Sequence, residues 1–532
     1  MLSKDFITKT LTFIANSIFI NIFSKIFGMS NTIVAVSIVV IALTLVMIDL
    51  KEDIFRKTFL ISMAIMLLGI GATVSAMNPV IGLIVNIVII FAIVYQTVDN
   101  YKSPMYFPFL ISYIFMLMSA PATYEELPLR IVSIIVGSLY ILLIQLVLNK
   151  DRFKKTIFGT RKGIVFNIIQ QIDNILDMEY DNKINHQVDG LINTVVTSIH
   201  HTKSKNKYIT EKNKGNLEIA LSLQNLNKSL RDFEDINTLN DDMKNCLIKV
   251  KKILGLVDEY FYHHNKKSNI IEDINIYIDE ISQYRENKEI NNIIKAINGI
   301  PIYLQLTEKH TDKSMWKKDL IIKNVVKKID NIDSLEFKFA LKMSLSVSLV
   351  IFLTNILNLT YGRWIIFPMI SIIQPYYDET MTKAKNRVIG TIIGIILFTI
   401  IFSIVEDPAI RMNITIISAY IGLFITKYEY STAIVAISAL GSSAMRGGGI
   451  EILFWRIIFT IIGCIVAMLV NKYILHYRVS HSIEDLSSEY QRAVNKLNSI
   501  NITKENETKI YNLKLNIKLM EHKLSGKSRG IK

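Results

Sequence analysis

The chain has 532 residues, 51% of them hydrophobic and 20% charged, with 60 Lys and Arg against 46 Asp and Glu for a net charge of +14. A mean hydropathy of +0.34 excludes an ordinary water-soluble protein of this length. Two cysteines, Cys246 in a charged region and Cys464 in an apolar run, point to neither a disulfide framework nor a metal cluster.

Residues 5–148 hold about six apolar stretches, with runs such as 31–48, 58–76 and 131–148 almost free of charge. A helix rising about 1.5 Å per residue needs roughly 20 residues to cross a hydrocarbon core of about 30 Å, where the backbone must bond to itself. The runs are therefore predicted to be membrane helices. A cleavable leader is not expected, because the first run lacks a small-residue cleavage site and leads into a second.

Residues 150–336 read differently: rich in Asn, Lys, Ile, Asp and Glu, with Pro301 as a lone proline. Apolar residues recur at helical spacing in Ile164, Ile168, Ile172 and Ile175, and again from Leu217 to Leu230. Several amphipathic helices in a bundle are predicted, with loops near 203–214 and 263–269. Residues 337–475 then carry about six more apolar stretches, including 389–405 and 457–470. Two segments, 105–119 and 364–376, are short or interrupted by proline. The segment 483–524 returns to an amphipathic helical pattern and is expected to pack on the bundle.

The second apolar half repeats the first in punctuation. Arg56 opens the third stretch of one and Arg387 the third of the other; Asn78-Pro79 and Asp407-Pro408 follow. Each sixth stretch begins with Glu, then Arg, with Gly seven residues later: Glu125, Arg130 and Gly137 against Glu451, Arg456 and Gly463. The predicted fold class is an all-α polytopic membrane protein, with a first repeat at 1–149, a cytoplasmic helical domain at 150–336, a second repeat at 337–476 and a cytoplasmic helical tail at 477–532. Duplication of this kind is typical of transporters and channels.

Lys and Arg concentrate in the N-terminus (Lys4, Lys9) and in 49–57, 99–102, 150 onward, 378–387, 427–430 and 476 onward. The alternate turns at 77–79, 121–129, 406–408 and 446–451 are short and mostly acidic. The positive-inside rule places both termini and the insert in the cytoplasm and gives the two halves the same orientation. The net positive charge reads as loops beside an anionic leaflet, and no nucleic-acid partner is implied.

Catalytic signals are sparse. No GxxxxGK[ST] segment is present, so active transport would draw on an ion gradient. His200-His201 and His263-His264 are adjacent pairs, and adjacent residues on a helix point about 100° apart, a poor arrangement for shared metal ligation. Asp241-Asp242 and Glu125-Glu126 suit ordinary surfaces. No cofactor or metal is implied.

Charges at the membrane carry two readings each. Lys342 lies within an apolar run and either snorkels to the surface or faces a polar cavity. Arg56 and Arg387 are either positive-inside anchors or part of a solute route. Arg130 and Arg456 either pair with Glu125, Glu126 and Glu451 or ring the outer mouth of that route, since a planar guanidinium fork suits carboxylates. Gly390 and Gly394 form a GxxxG that favours close helix packing. Arg446 to Gly449 is either a plain loop or an anion-binding nest. Pro368 and Pro375 interrupt the helix that holds Trp364, which makes it the leading candidate for a pore wall.

Tyr361-Gly362-Arg363-Trp364-Ile365-Ile366-Phe367-Pro368, then Gln374-Pro375, then Arg387-Val388-Ile389-Gly390-Thr391-Ile392-Ile393-Gly394 resembles the fusaric acid resistance protein-like family. That group includes bacterial aromatic carboxylic acid efflux proteins and, more distantly, the plant aluminium-activated malate transporters. In the first half Arg56 is kept, but Thr58-Phe59 stands where the motif has Gly-Thr. The resemblance implies an inner-membrane exporter of small organic anions, aromatic acids in particular, with no enzymatic activity. On that reading Arg387, Arg363 and Lys342 attract the anion from the inward side, Trp364 offers an aromatic surface beside Gln374 and Pro375, and Arg130 with Arg456 line the outer mouth. Asp378, Glu379 or Asp49 would carry protons. Partners are small organic anions and the lipid bilayer, and a homo-oligomer is compatible. A passive anion channel and a membrane-anchored helical scaffold are the competing readings.

Overall fold

The computed structural model describes residues 4–45, 54–98, 105–118, 121–148, 152–179, 182–202, 209–233, 239–261, 267–308, 332, 334–375, 380–444, 451–475, 479–500 and 506–530. Among them every long element is a helix and there is no strand. The first half holds α1 (Lys4–Phe27), α2 (Thr32–Leu45), α3 (Ile54–Met77), α4 (Pro79–Thr97), α5 (Tyr106–Met118) and α6 (Leu127–Leu148). The insert holds α7 (Arg152–Leu176), α8 (Asn182–Thr202), α9 (Glu211–Arg231), α10 (Asp241–Tyr260), α11 (Lys267–Ser282), α12 (Lys288–Ile297) and α13 (Ile300–Leu306). The second half holds α14 (Leu335–Ile356), α15 (Arg363–Ile372), α16 (Thr380–Ile404), α17 (Pro408–Gly422), α18 (Tyr428–Ala444) and α19 (Glu451–Tyr473), followed by α20 (Val479–Ser499) and α21 (Glu507–Gly530).

The chain divides into two compact units, one of residues 1–148 with 326–482, the other of 149–325 with 483–532. In the first, seven helices among the described residues are long and apolar enough to cross a membrane: Lys9–Phe27, Phe59–Met77, Pro79–Thr97, Leu127–Val147, Leu335–Ile356, Thr380–Ile404 and Glu451–Tyr473. The apolar helices α5 and α15 are shorter; the 10 residues of α15 rise only about 15 Å, half a hydrocarbon core. Leu11, Ile18, Ile84, Val88, Leu139, Ile400 and Leu469 stand exposed, a density of bare apolar side chains that lipid satisfies and water does not.

Local chemistry sets the helix starts. Asn78 accepts hydrogen bonds from the Val80 and Ile81 amides ahead of Pro79, and Asp407 accepts from Ile410 N ahead of Pro408. The Asn-Pro and Asp-Pro pairs thus open the fourth helix of each half, where proline loses no intrahelical bond. Packing recurs by rank in part, although α2 also meets α5 and α3 meets α4 without a matching contact of similar extent in the second half. In the first half α2 meets α6, α3 meets α5 and α6, and α4 meets α5; in the second α15 meets α19, α16 meets α18 and α19, and α17 meets α18. The halves join where α4 lies along α14, with the Phe337 ring edge-on to Phe91 and Tyr95 at centroid distances of 5.3 and 6.3 Å.

The second unit has its own apolar core, drawn from α7 to α13 and from Leu515 of α21. Its centre is α9, buried on nearly every side, including Asn213, Asn216, Glu218 and Asn227. The loop expected at 203–214 is already helical from Glu211, because Thr210 caps the helix by accepting from Asn213 N; residues 203–208 lie outside the described ones. α21 packs on α8, and Lys514 Nζ donates to the buried Glu218 carboxylate at 2.5 Å.

Candidate functional site

The short helix α15 positions the site. It begins after a turn in which Asn358 adopts a left-handed φ of 49°, a conformation asparagine tolerates. Gly362 sits so close to Thr354 of α14 that a Cβ would fall 2.7 Å from its side chain. The α15 backbone then approaches α19 at Gly463, where a Cβ would collide with the Ile365 carbonyl. That contact brings Arg456, about two turns earlier on α19, onto the start of α15.

There the Arg456 guanidinium lies 4.0 Å from the centroid of the Trp364 ring. The Arg363 guanidinium is 5.5 Å from the same ring. Arg456 is 4% exposed and Trp364 8%. Arg456 Nε and Nη1, Trp364 Nε1 and Arg387 Nε are buried with no hydrogen-bond partner among the described residues. Among the described residues, the charges of Arg387 and Arg363 bear on Arg456, and both repel it. The Glu451 pairing expected from sequence does not form; Glu451 is exposed, and five residues along a helix place it roughly 140° round from Arg456.

The energetics are lopsided. An unpaired buried cation costs several kcal/mol, and stacking on an indole returns only about 2 kcal/mol even when dry. Two neighbouring guanidinium groups add repulsion. An anion with two acceptor oxygens would complete this arrangement, and a flat apolar body beside it would match the indole.

The opposite end of α15 is a separate polar cluster. Lys342 is 2% exposed and does not snorkel: its Nζ donates to the Gln374 carbonyl at 3.0 Å. Lys383 Nζ donates to Gln374 Oε1 at 2.8 Å, and Gln374 Nε2 donates to the Ser371 and Ile373 carbonyls. α15 stops before Gln374 and the buried Pro375, so the two lysines cap a broken helix end. Arg363 therefore does not share an end with Lys342.

Arg130 occupies the rank of Arg456 in the first half, yet it is satisfied. Its Nε donates to Asn31 Oδ1 at 3.2 Å and its Nη2 to the Ser30 carbonyl at 3.1 Å, across the α1–α2 turn. Gly137 approaches Ile38 of α2 as Gly463 approaches Ile365 of α15. Gly390 and Gly394 bring α16 against α18, where added Cβ atoms would strike the Glu429 and Ala433 carbonyls. Arg56 lies on α3 with its side chain outside the described residues; Asp49, Asp378, Glu379 and the 446–449 glycine turn lie outside them too. Sequence reasoning missed the buried network in which Ser75 and Tyr113 both donate to Asn86 Oδ1. Its signal was present as polar residues inside apolar runs.

Residues 349–470 match the family described as fusaric acid resistance protein-like, a span that includes Arg363, Trp364, Arg387 and Arg456. The class is thus an all-α polytopic membrane protein carrying a fusaric acid resistance protein-like region. The chain is similar to the uncharacterized protein ORF2 of Neisseria gonorrhoeae, 30% identical over 151 residues, 27% of this chain and 35% of that protein. It is also similar to the inner membrane protein YccS of Escherichia coli, 26% identical over 144 residues, 27% of this chain and 20% of YccS. An uncharacterized Haemophilus influenzae protein is 21% identical over 258 residues, 48% of this chain and 34% of that one. The chain spans about a third or less of the length of these relatives. No solved structure matches.

Proposed function

We propose that this chain is an inner-membrane transporter that exports small organic anions, aromatic carboxylates in particular, at the expense of an ion gradient. The observation that carries the reading is the buried Arg456 guanidinium, unpartnered at Nε and Nη1 and stacked on Trp364 with Arg363 and Arg387 nearby. A carboxylate supplies the missing acceptors and an aromatic ring extends the stack. The match to an inner membrane protein and to the fusaric acid resistance protein-like family supports the location and the class of cargo. The distribution of Lys and Arg supports cytoplasmic termini and insert, and the rank-by-rank packing supports two parallel repeats.

The test is flux of radiolabelled benzoate in sealed vesicles, with and without an imposed proton gradient. Wild-type protein should move benzoate faster with the gradient, and Arg456→Gln and Arg387→Gln should lose most of that flux while inserting normally. Normal flux in both correctly inserted variants refutes the site. A steady benzoate current in a planar bilayer with no gradient coupling identifies a passive channel and refutes the driven exporter.

A further inference from the structure

A cavity of about 450 Å³ lies within the membrane unit beside the arginine cluster, inside the range of about 300–1,000 Å³ usual for small-molecule sites. Its two walls differ. Ala76, Leu117 and Met118 of the first half make an apolar side, while Asn355, Asn358 and Arg363 of the second make a polar one. Arg363 is the one charged residue among the described residues lining it. The cavity reaches Pro79 and Pro121, the turns that the charge distribution assigns to the exterior.

We propose that this cavity is a second ligand site, a vestibule for amphiphilic monocarboxylates up to bicyclic size, separate from the buried cluster and joined to it through Arg363. The proposal rests on the transport reading above. One cation matches one carboxylate, the asparagines serve hydroxyl or amide substituents, and the apolar wall takes the ring body. Arg363 is shared: it lines the cavity, lies 5.5 Å from the Trp364 ring and bears electrostatically on Arg456. An anion held in the vestibule draws that guanidinium outward and lowers the repulsion at Arg456, so the two sites exchange cargo through one side chain.

Thiol labelling tests the vestibule without reference to flux. Ala76 and Thr360 both line the cavity and are exposed, whereas the native Cys246 and Cys464 are buried. Purified full-length Ala76→Cys, and separately Thr360→Cys, is reacted with sulfonatoethyl and trimethylammonioethyl methanethiosulfonate. The anionic reagent should react about fivefold faster, the ratio expected when one nearby charge in salt-screened water attracts one reagent and repels the other by roughly 0.5 kcal/mol each. Adding Arg363→Gln should abolish that preference, and 2-naphthoate should slow labelling at both positions.

Equal rates for the two reagents and no protection by 2-naphthoate at either cysteine overturn the proposal. Protection by phosphatidylglycerol nanodiscs over phosphatidylcholine ones, without protection by 2-naphthoate, assigns the cavity to a lipid headgroup and overturns it as well. The two readings fail separately: normal flux in Arg456→Gln removes the buried transport site, whereas unprotected cysteines remove the vestibule alone.

Discussion

Arg130 and Arg456 occupy the same rank in the two halves, and replacing each by Met should have opposite effects on stability. Arg130→Met keeps an unbranched apolar stem but leaves Asn31 Oδ1 and the Ser30 carbonyl without the donors they have at 3.2 and 3.1 Å. The buried Asn31 Oδ1 left unpaired costs about 1–3 kcal/mol, while water can reach the carbonyl of the exposed Ser30, so the variant should lose roughly 1–3 kcal/mol. Arg456→Met forfeits the contact 4.0 Å from the Trp364 centroid, worth about 2 kcal/mol. It also removes a buried charge with unpartnered Nε and Nη1, relief worth several kcal/mol. The Arg456 variant should therefore unfold at or above the wild-type midpoint and the Arg130 variant well below it. Unfolding in detergent can be followed with a thiol-reactive coumarin dye, since Cys246 and Cys464 are both buried in the folded chain. A drop in Arg456→Met as large as that in Arg130→Met would show a structural guanidinium and sink the anion-site argument.

Three further outcomes follow from the geometry. Gly394→Val should prevent normal folding, because any Cβ there meets the Ala433 carbonyl at 2.5 Å; a monodisperse, fully active variant would contradict the close α16–α18 contact. Burial pushes the Cys246 thiol up to about 12 despite the opposing charge of Lys249. The folded state then holds its proton where the unfolded chain has lost it, so this stability is present below the ordinary thiol range and is lost as pH rises towards 12. Native Cys246 should stay unlabelled by maleimide at pH 8, and rapid labelling would show the core to be open. Lys514→Glu should release α21 to limited proteolysis by opposing Glu218, whose side chain is 7% exposed, at a cost of about 1–3 kcal/mol. Adding Glu218→Lys should restore protection, and failure to do so would show that the ion pair does not fasten α21.

Much of the helical plan was readable because bilayer length and backbone self-satisfaction leave few options for an apolar run. Asn78-Pro79 and Asp407-Pro408 read as polar turns in the sequence, and the structure makes their first residues the caps of the helices that follow. Other features depend on partners far away in sequence. One local difference separates Arg130 from Arg456, an acidic residue four positions earlier (Glu126) against one five positions earlier (Glu451); the larger difference is that the second helix of one half begins beside Asn31 and that of the other beside Trp364. Lys342 looked free to snorkel because the end of α15 at Gln374, which supplies its acceptor, is fixed by tertiary packing. The α9 start was misplaced for a smaller reason: a polar run from Thr210 reads as loop until the capping hydroxyl and the buried Leu217 face are considered together.

The divergence of the two arginines bears on stoichiometry. Arg130 is committed to the α1–α2 turn, so of these two arginines of equal rank only Arg456 is left with unpartnered donors among the described residues. On the proposed reading, a solute held by Arg456 would be bound by the second half and not by the first. Titration should saturate at one equivalent per chain at that position, and on the proposed transport reading the route draws its positive charge there from the second half alone.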